Sequence, residues 1–207
     1  MTFAAVEHNE MQRAYDHLNA RLFDGELPAL VVLLHRKRGA AGYFRPDAFA
    51  VRGAEGGFVH EIALNPDTFK GRTDVEILST LAHEQAHQWQ QDFGKPPRRC
   101  YHDKQWAEKM EEIGLMPSHN GEEGGRRTGQ RMTHYVISGG EFEAAAKELI
   151  DSGFKFGLDG CPGLSLPKKK DKVKYVCDDC QKKAWAKPGT KLVCGDCGQP
   201  MESEDEL

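Results

Sequence analysis

No segment of this chain approaches the roughly 20 apolar residues that a membrane-spanning helix requires, and no apolar run follows a basic N-terminal start. A cytoplasmic protein without membrane association is expected. Cysteine is scarce, six among 207 residues, and four of the six fall into two CxxC pairs. With no export signal in view, such pairs point to metal thiolates in a reducing compartment and away from disulfides. Internal repeats are missing, as is any pattern suited to small-molecule recognition, which leaves little ground for a small-molecule hydrolase. The length suits one ordinary domain with a small appendage and leaves no room for a large second domain.

A strong excess of one charge is lacking overall, since the formal net charge is -4, but the distribution is uneven. Residues 161–200 carry nine Lys and four Asp, and residues 201–207 carry four acids. The basic stretch is a candidate nucleic-acid face, with a solvated linker as the alternative.

What is present begins with helical periodicity. Met11, Ala14, Tyr15, Leu18 and Leu22 recur at helical spacing, so residues 5–22 read as an amphipathic helix stopping near Asp24-Gly25. Residues 29–34 read as a buried strand, Tyr43-Phe44 and residues 49–51 as short strands, and residues 59–64 as another strand. A small antiparallel sheet is expected from them. Thr73 or Asp74 caps a long helix whose apolar positions are Val75, Leu78, Leu81, Ala82 and Ala86, ending before Gly94. A further helix spans 103–113, residues 117–131 read as a loop, 132–137 as a strand and 142–150 as a last helix.

The long helix carries His83-Glu84-Gln85-Ala86-His87. Residues four apart on a helix lie about 40° from each other, so both imidazoles reach one cation while Glu84 stands beside it unligated. Zinc held in this way retains an open position for water and lowers that water's pKa toward about 7. Glu84 is then placed to act as general base. A catalytic zinc usually takes a third protein ligand. Gln90 and Phe93 exclude the metzincin pattern, and His102, Glu108, Glu111 and Glu112 remain as third-ligand choices. Tyr101, His134 and Tyr135 are candidate oxyanion donors.

The segment from Leu81 to Gln90, the fourteen residues separating His87 from His102, and the His102-Asp103-Lys104-Gln105-Trp106 helix start together resemble the SprT-like (Spartan) metalloprotease family. The likeness extends through Leu22-Phe23-Asp24-Gly25-Glu26-Leu27-Pro28, Gly42-Tyr43-Phe44 and Ile62-Ala63-Leu64-Asn65-Pro66. The resemblance implies an α+β, zincin-like domain and a zinc endopeptidase with His83, His87 and His102 as ligands and Glu84 as base. It implies substrates among DNA-associated proteins, as in members that remove proteins crosslinked to DNA, and a C-terminal zinc module. An edge strand around Tyr43-Phe44 or Val59-His60 is expected to accept an extended peptide. The alternative is a DNA- or protein-binding module on the same fold with weak or no proteolysis.

Cys177, Cys180, Cys194 and Cys197 form two knuckles thirteen residues apart, the pattern of a structural four-cysteine zinc ribbon. Two Zn2+ ions are thus expected, one catalytic and one structural. The expected organisation is a domain over 1–160, a Lys/Pro-rich linker over 161–174, a ribbon over 175–200 and an acidic tail over 201–207. Candidate substrate or DNA contacts are Tyr43, Tyr135, Arg126, Arg127, Lys182, Lys183 and Trp185, with lysines on phosphate and the indole on an unpaired base.

Overall fold

Thr2 opens the first helix by accepting the Ala5 N–H, and α1 (Phe3–Leu22) then buries Met11, Ala14, Tyr15, Leu18 and Leu22 along one stripe. This computed structural model describes residues 2–53, 56–98, 100–161 and 172–203. The chain divides into two compact units, Met1–Cys161 and Pro162–Leu207.

In the first unit, β1 (Val31–Leu34), β2 (Gly42–Ala50) and β3 (Phe58–Leu64) form a sheet in the order β1-β3-β2. The sheet is mixed, not antiparallel as expected, because β1 runs parallel to β3. The β1–β2 connection carries the chain past the β3 position to the far edge, so the β2–β3 hairpin brings β3 back beside β1 in the same direction. The two short strands expected around Tyr43 and Phe49 are one strand with a register shift between Arg45 and Phe49. His60 holds that irregularity: it accepts the Asp47 N–H at 2.9 Å and donates from Nε2 to Asp92 at 3.0 Å.

The long helix α2 (Asp74–Phe93) begins with a capping box in which Thr73 and Glu76 satisfy each other's backbone N–H groups. Asp103 caps α3 (Lys104–Glu112) by accepting the Trp106 N–H. The hairpin β4 (Leu115–Ser118) and β5 (Thr133–Val136) follows, so the loop expected from 117 begins after Ser118. The helix α4 (Glu141–Asp151) packs on α1, where His17 Nε2 meets the Ala145 carbonyl at 2.8 Å. Leu18, Ile62, Leu64, Leu78, Leu81, Trp106, Met110 and Phe142 sit fully buried where these layers meet. No helix among the described residues is long and apolar enough to cross a membrane.

The second unit holds β6 (Val173–Val176), β7 (Lys183–Ala186), β8 (Leu192–Val193) and β9 (Pro200–Ser203) in the order β7-β6-β9-β8. Its strands begin before residue 175 and end after residue 200, so part of the expected linker and tail belongs to the ribbon. Val173 and Tyr175 give it a small apolar interior, and the Tyr175 hydroxyl donates to the Lys187 carbonyl and accepts the Thr190 N–H, both at 3.0 Å.

Within the first core, the Tyr15 hydroxyl lies 2.9 Å from Gln88 Oε1 and 2.8 Å from the Pro28 carbonyl. Gln88 is fully buried, so Tyr15→Phe strands its amide oxygen. Urea unfolding should register a loss of about 1–3 kcal/mol. An unchanged midpoint would mean that the hydroxyl contributes nothing to holding α1 on α2.

Candidate metal centres

Helix periodicity turns His83 and His87 to one side of α2, and their ring centroids lie 5.1 Å apart. The turn before α3 brings in His102, with centroids 5.5 Å from His83 and 4.7 Å from His87. One ring nitrogen from each of the three histidines falls within 4.8 Å of the others. A tetrahedral zinc with bonds of about 2.0–2.1 Å separates nitrogen ligands by about 3.3 Å, so small rotations close the set around one ion. Trp106 forms the floor, its ring packing against all three imidazoles at 4.4–5.3 Å.

Two of the three histidines are held from behind. His102 donates from Nδ1 to the Gly129 carbonyl at 3.1 Å, and His102 and Gly129 also exchange backbone hydrogen bonds. That bridge ties the arginine loop to the site. His83 Nδ1 lies 3.1 Å from His134 Nδ1. The alternatives to His102 are engaged elsewhere: Glu108 with Lys104, Glu112 with Lys109, and Glu111 with Arg127.

Glu84 lies buried one residue beyond His83, and its carboxylate accepts the N–H of Phe44 on β2. Gly42 makes this approach possible, because a Cβ there would stand 3.1 Å from Glu84 Oε1 and 3.0 Å from Thr80 Cγ2. Burial pushes the Glu84 carboxyl up to about 8, opposed by the Phe44 N–H and by Lys37. Burial acts in the opposite sense on the imidazoles. His83 falls well below its usual value, His87 to about 3 and His134 to about 4, and His102 also moves down. All four are therefore neutral, the form that metal ligation requires.

The remaining candidates divide. Tyr43 lies on β2, but its hydroxyl donates to Glu61 at 2.5 Å and meets His35 at 3.0 Å, on the sheet face opposite Gly42 and Glu84. Tyr135 alternates with His134 along β5 and so points away from His83. Val59 and His60 lie on β3 ahead of its pairing with β1, which covers only Glu61–Leu64, and β2 has no strand on its outer side. Arg98, Tyr101, Arg126, Arg127, Thr128 and Arg131 line a groove of about 850 Å³. Cys100 is exposed and outside the histidine group. Phe44 N–H, Gly42 and Gly129 contribute through backbone, which leaves no side-chain signature to find.

In the ribbon the four Sγ atoms of Cys177, Cys180, Cys194 and Cys197 also lie within 4.8 Å of one another. Thiolates around zinc stand about 3.8 Å apart for bonds of about 2.3 Å, so these residues fit a closed tetrahedral site. Both knuckles close alike: the Gln181 and Gly198 N–H groups donate at 2.8 Å to the Cys177 and Cys194 carbonyls, with φ of 58° and 66°. The Cys197 N–H and neighbouring thiols hold Cys194 below the usual thiol range, while its hydrogen bond to Cys180 helps push Cys197 up to about 12. Lys183 and Trp185 are exposed, the indole at 62%, whereas Lys182 pairs with Asp196.

A family model described as the SprT-like family matches residues 11–128, more than half of the chain. The match contains Glu84 and the three converging histidines and ends before His134. No curated protein and no solved structure matches the chain.

The titrating groups set a stability profile for the metal-stripped chain. Histidines with depressed pKa values remain neutral when folded but protonate near 6.5 when unfolded, so their contribution is lost as pH falls below about 6.5. Glu84, raised to about 8, acts oppositely, and its burial becomes less favourable as pH rises from the unfolded carboxyl value through 8. These groups together place maximal stability at about pH 7, where the residual protonation of the unfolded imidazoles equals the one proton that Glu84 retains in the folded chain. Urea unfolding between pH 5.5 and 8, followed by far-UV circular dichroism, should show this maximum. Glu84→Gln should remove the decline on its alkaline side, at most about 1.4 kcal/mol per pH unit.

Proposed function

The chain belongs to the SprT-like family, generally of zinc metalloprotease type, and from that premise we propose that it is a zinc-dependent endopeptidase acting on DNA-bound or DNA-crosslinked proteins. One observation carries this reading: three neutral imidazoles converge beside a buried carboxylate that is held by the backbone of an open sheet edge. His83, His87 and His102 would hold the ion, and Cys177, Cys180, Cys194 and Cys197 a second one. The catalytic ion, when bound, supplies a polarising charge for the scissile carbonyl and for water. Glu84 takes a proton on its carboxylate and returns it to the departing amine. A nearby cation stabilises the ionised carboxylate, bringing Glu84 down from the value that burial alone imposes.

The open edge of β2 supports docking of the substrate as an added strand, its backbone paired with the outward groups of β2. Contact with nucleic acid is assigned to the arginine groove beside His102, including Arg126 and Arg127, and to Lys183 and Trp185 of the ribbon, with Lys182 partly neutralised by Asp196. The four clustered thiols, which a reducing interior preserves, support a place inside the cell.

Two measurements test this reading. Native mass spectrometry of the full chain should find two zinc ions, with Cys177→Ser losing one and keeping the other. Incubation with a DNA-bound basic protein, with and without single-stranded DNA, should show cleavage by the wild type and a drop of about 10²–10⁴-fold in Glu84→Gln at unchanged zinc content. Equal cleavage by the two proteins would refute the protease assignment. DNA binding without cleavage by either would replace it with a binding module.

A further inference from the structure

Beyond the three histidines, a fourth is built into the site from a strand on the far side of the arginine loop. His134 on β5 sits with its ring centroid 5.2 Å from that of His83. Its Nδ1 faces His83 Nδ1 at 3.1 Å, and its Nε2 faces Ser79 Oγ at 2.9 Å. Ser79 Oγ in turn lies 2.8 Å from the backbone carbonyl of Glu76, one turn back on α2.

The direction of this chain follows from its last member, since a carbonyl oxygen only accepts. The Ser79 hydroxyl spends its single proton on Glu76, so Ser79 Oγ accepts from His134, which must carry its hydrogen on Nε2. A neutral imidazole protonated on Nε2 presents a bare Nδ1. His83 must then donate from Nδ1, which leaves the His83 Nε2 lone pair free. Arg72 flanks the relay, its guanidinium donating to Thr80 at 2.8 Å and to the Glu76 carbonyl.

We propose that His134 is a positioning residue that locks His83 in the Nδ1–H tautomer and so presents His83 Nε2 to the metal. This rests on reading His83, His87 and His102 as the ligands. His102 reaches the same state by a simpler route, with the Gly129 carbonyl accepting its Nδ1–H. On the inner side of α2, the partner of His83 Nδ1 is instead a second imidazole, relayed through Ser79 to the helix's own backbone. The hydrogen bond made by one ring nitrogen decides the state of the other.

The test uses the full chain with ¹⁵N-labelled histidine. In the metal-free wild type, long-range ¹H–¹⁵N spectra should report Nδ1–H for His83 and Nε2–H for His134. His134→Ala should abolish the His83 preference and weaken zinc binding at this site by about 10–100-fold, read by competition with a chromophoric chelator. His134→Asn places an amide oxygen near the lost Nδ1 and should restore both tautomer and affinity, which a merely space-filling role would not predict. Ser79→Ala, which leaves His83 untouched, should shift His83 in the same direction as His134→Ala. An Nε2–H His83 in the wild type overturns the proposal, as does His134→Asn behaving like His134→Ala, or undiminished zinc affinity in His134→Ala. Should His87→Ala bind as much zinc as the wild type, the ligand assignment fails instead, while the metal-free spectra still decide the tautomer.

Discussion

A helix that is polar where it is buried constrains this fold more than any other feature. Ser79, Thr80, His83, Glu84, Gln85, Gln88 and Gln90 all lie inside on α2, and a buried polar group without a partner costs about 1–3 kcal/mol. Most of their partners come from other parts of the chain. Tyr15 on α1 offers its carbonyl to Gln85 and its hydroxyl to Gln88, while Pro28 receives the Gln88 amide. Phe44 on β2 donates to Glu84, Asp103 at the start of α3 accepts from Gln90, and His134 on β5 meets His83. The polar demands of one helix thereby specify where α1, β2, α3 and β5 must stand, while the apolar residues around them supply the driving force without that precision.

The two candidate metal sites follow opposite logic from similar clustering. At the histidines the protein itself sets the rings: burial favours their neutral form, and backbone or relay contacts orient His102 and His83. Three ligands leave a coordination position for chemistry. At the cysteines the thiols perturb one another, Cys194 downward and Cys197 upward, so four ionised sulfurs in this space need a cation among them. Val173 and Tyr175 are a small interior for a unit of this size, and the tetrahedral cage is where its stability is concentrated.

Local periodicity alone makes the helices legible. Val75, Leu78, Leu81, Ala82 and Ala86 mark out α2, and with it the spacing of His83 and His87. His102 is legible only as a choice among four: the Lys104–Glu108 and Lys109–Glu112 pairs have helical spacing, but the Arg127–Glu111 pair and the approach of His102 to His83 and His87 are tertiary facts that spacing does not contain. Strand order is hidden for the same reason, since a parallel β1–β3 pair depends on which edge β2 reaches. In the ribbon, Val173 and Tyr175 do alternate inward, but Lys172 and Lys174 beside them give the segment the composition of a linker. His134, 51 residues from His83, has no local pattern at all.

The placement of Glu84 links the proposed chemistry to the proposed docking mode through a single strand. The outward N–H of Phe44 is already taken by the Glu84 carboxylate, so a peptide added to the β2 edge cannot pair with that group while the base is in place. Pairing must use the groups on either side of it, which sets the peptide's register against the base by backbone geometry instead of by side-chain recognition. Gly42 keeps the space that the carboxylate occupies, and the His60 contacts to Asp47 and Asp92 tie the irregular half of β2 to α2. Under the proposed docking mode, such a site would select for extended backbone near the ion. Specificity would then come from whatever brings the substrate there, and the arginine groove stapled to His102 through Gly129 is the charged surface nearest to that task.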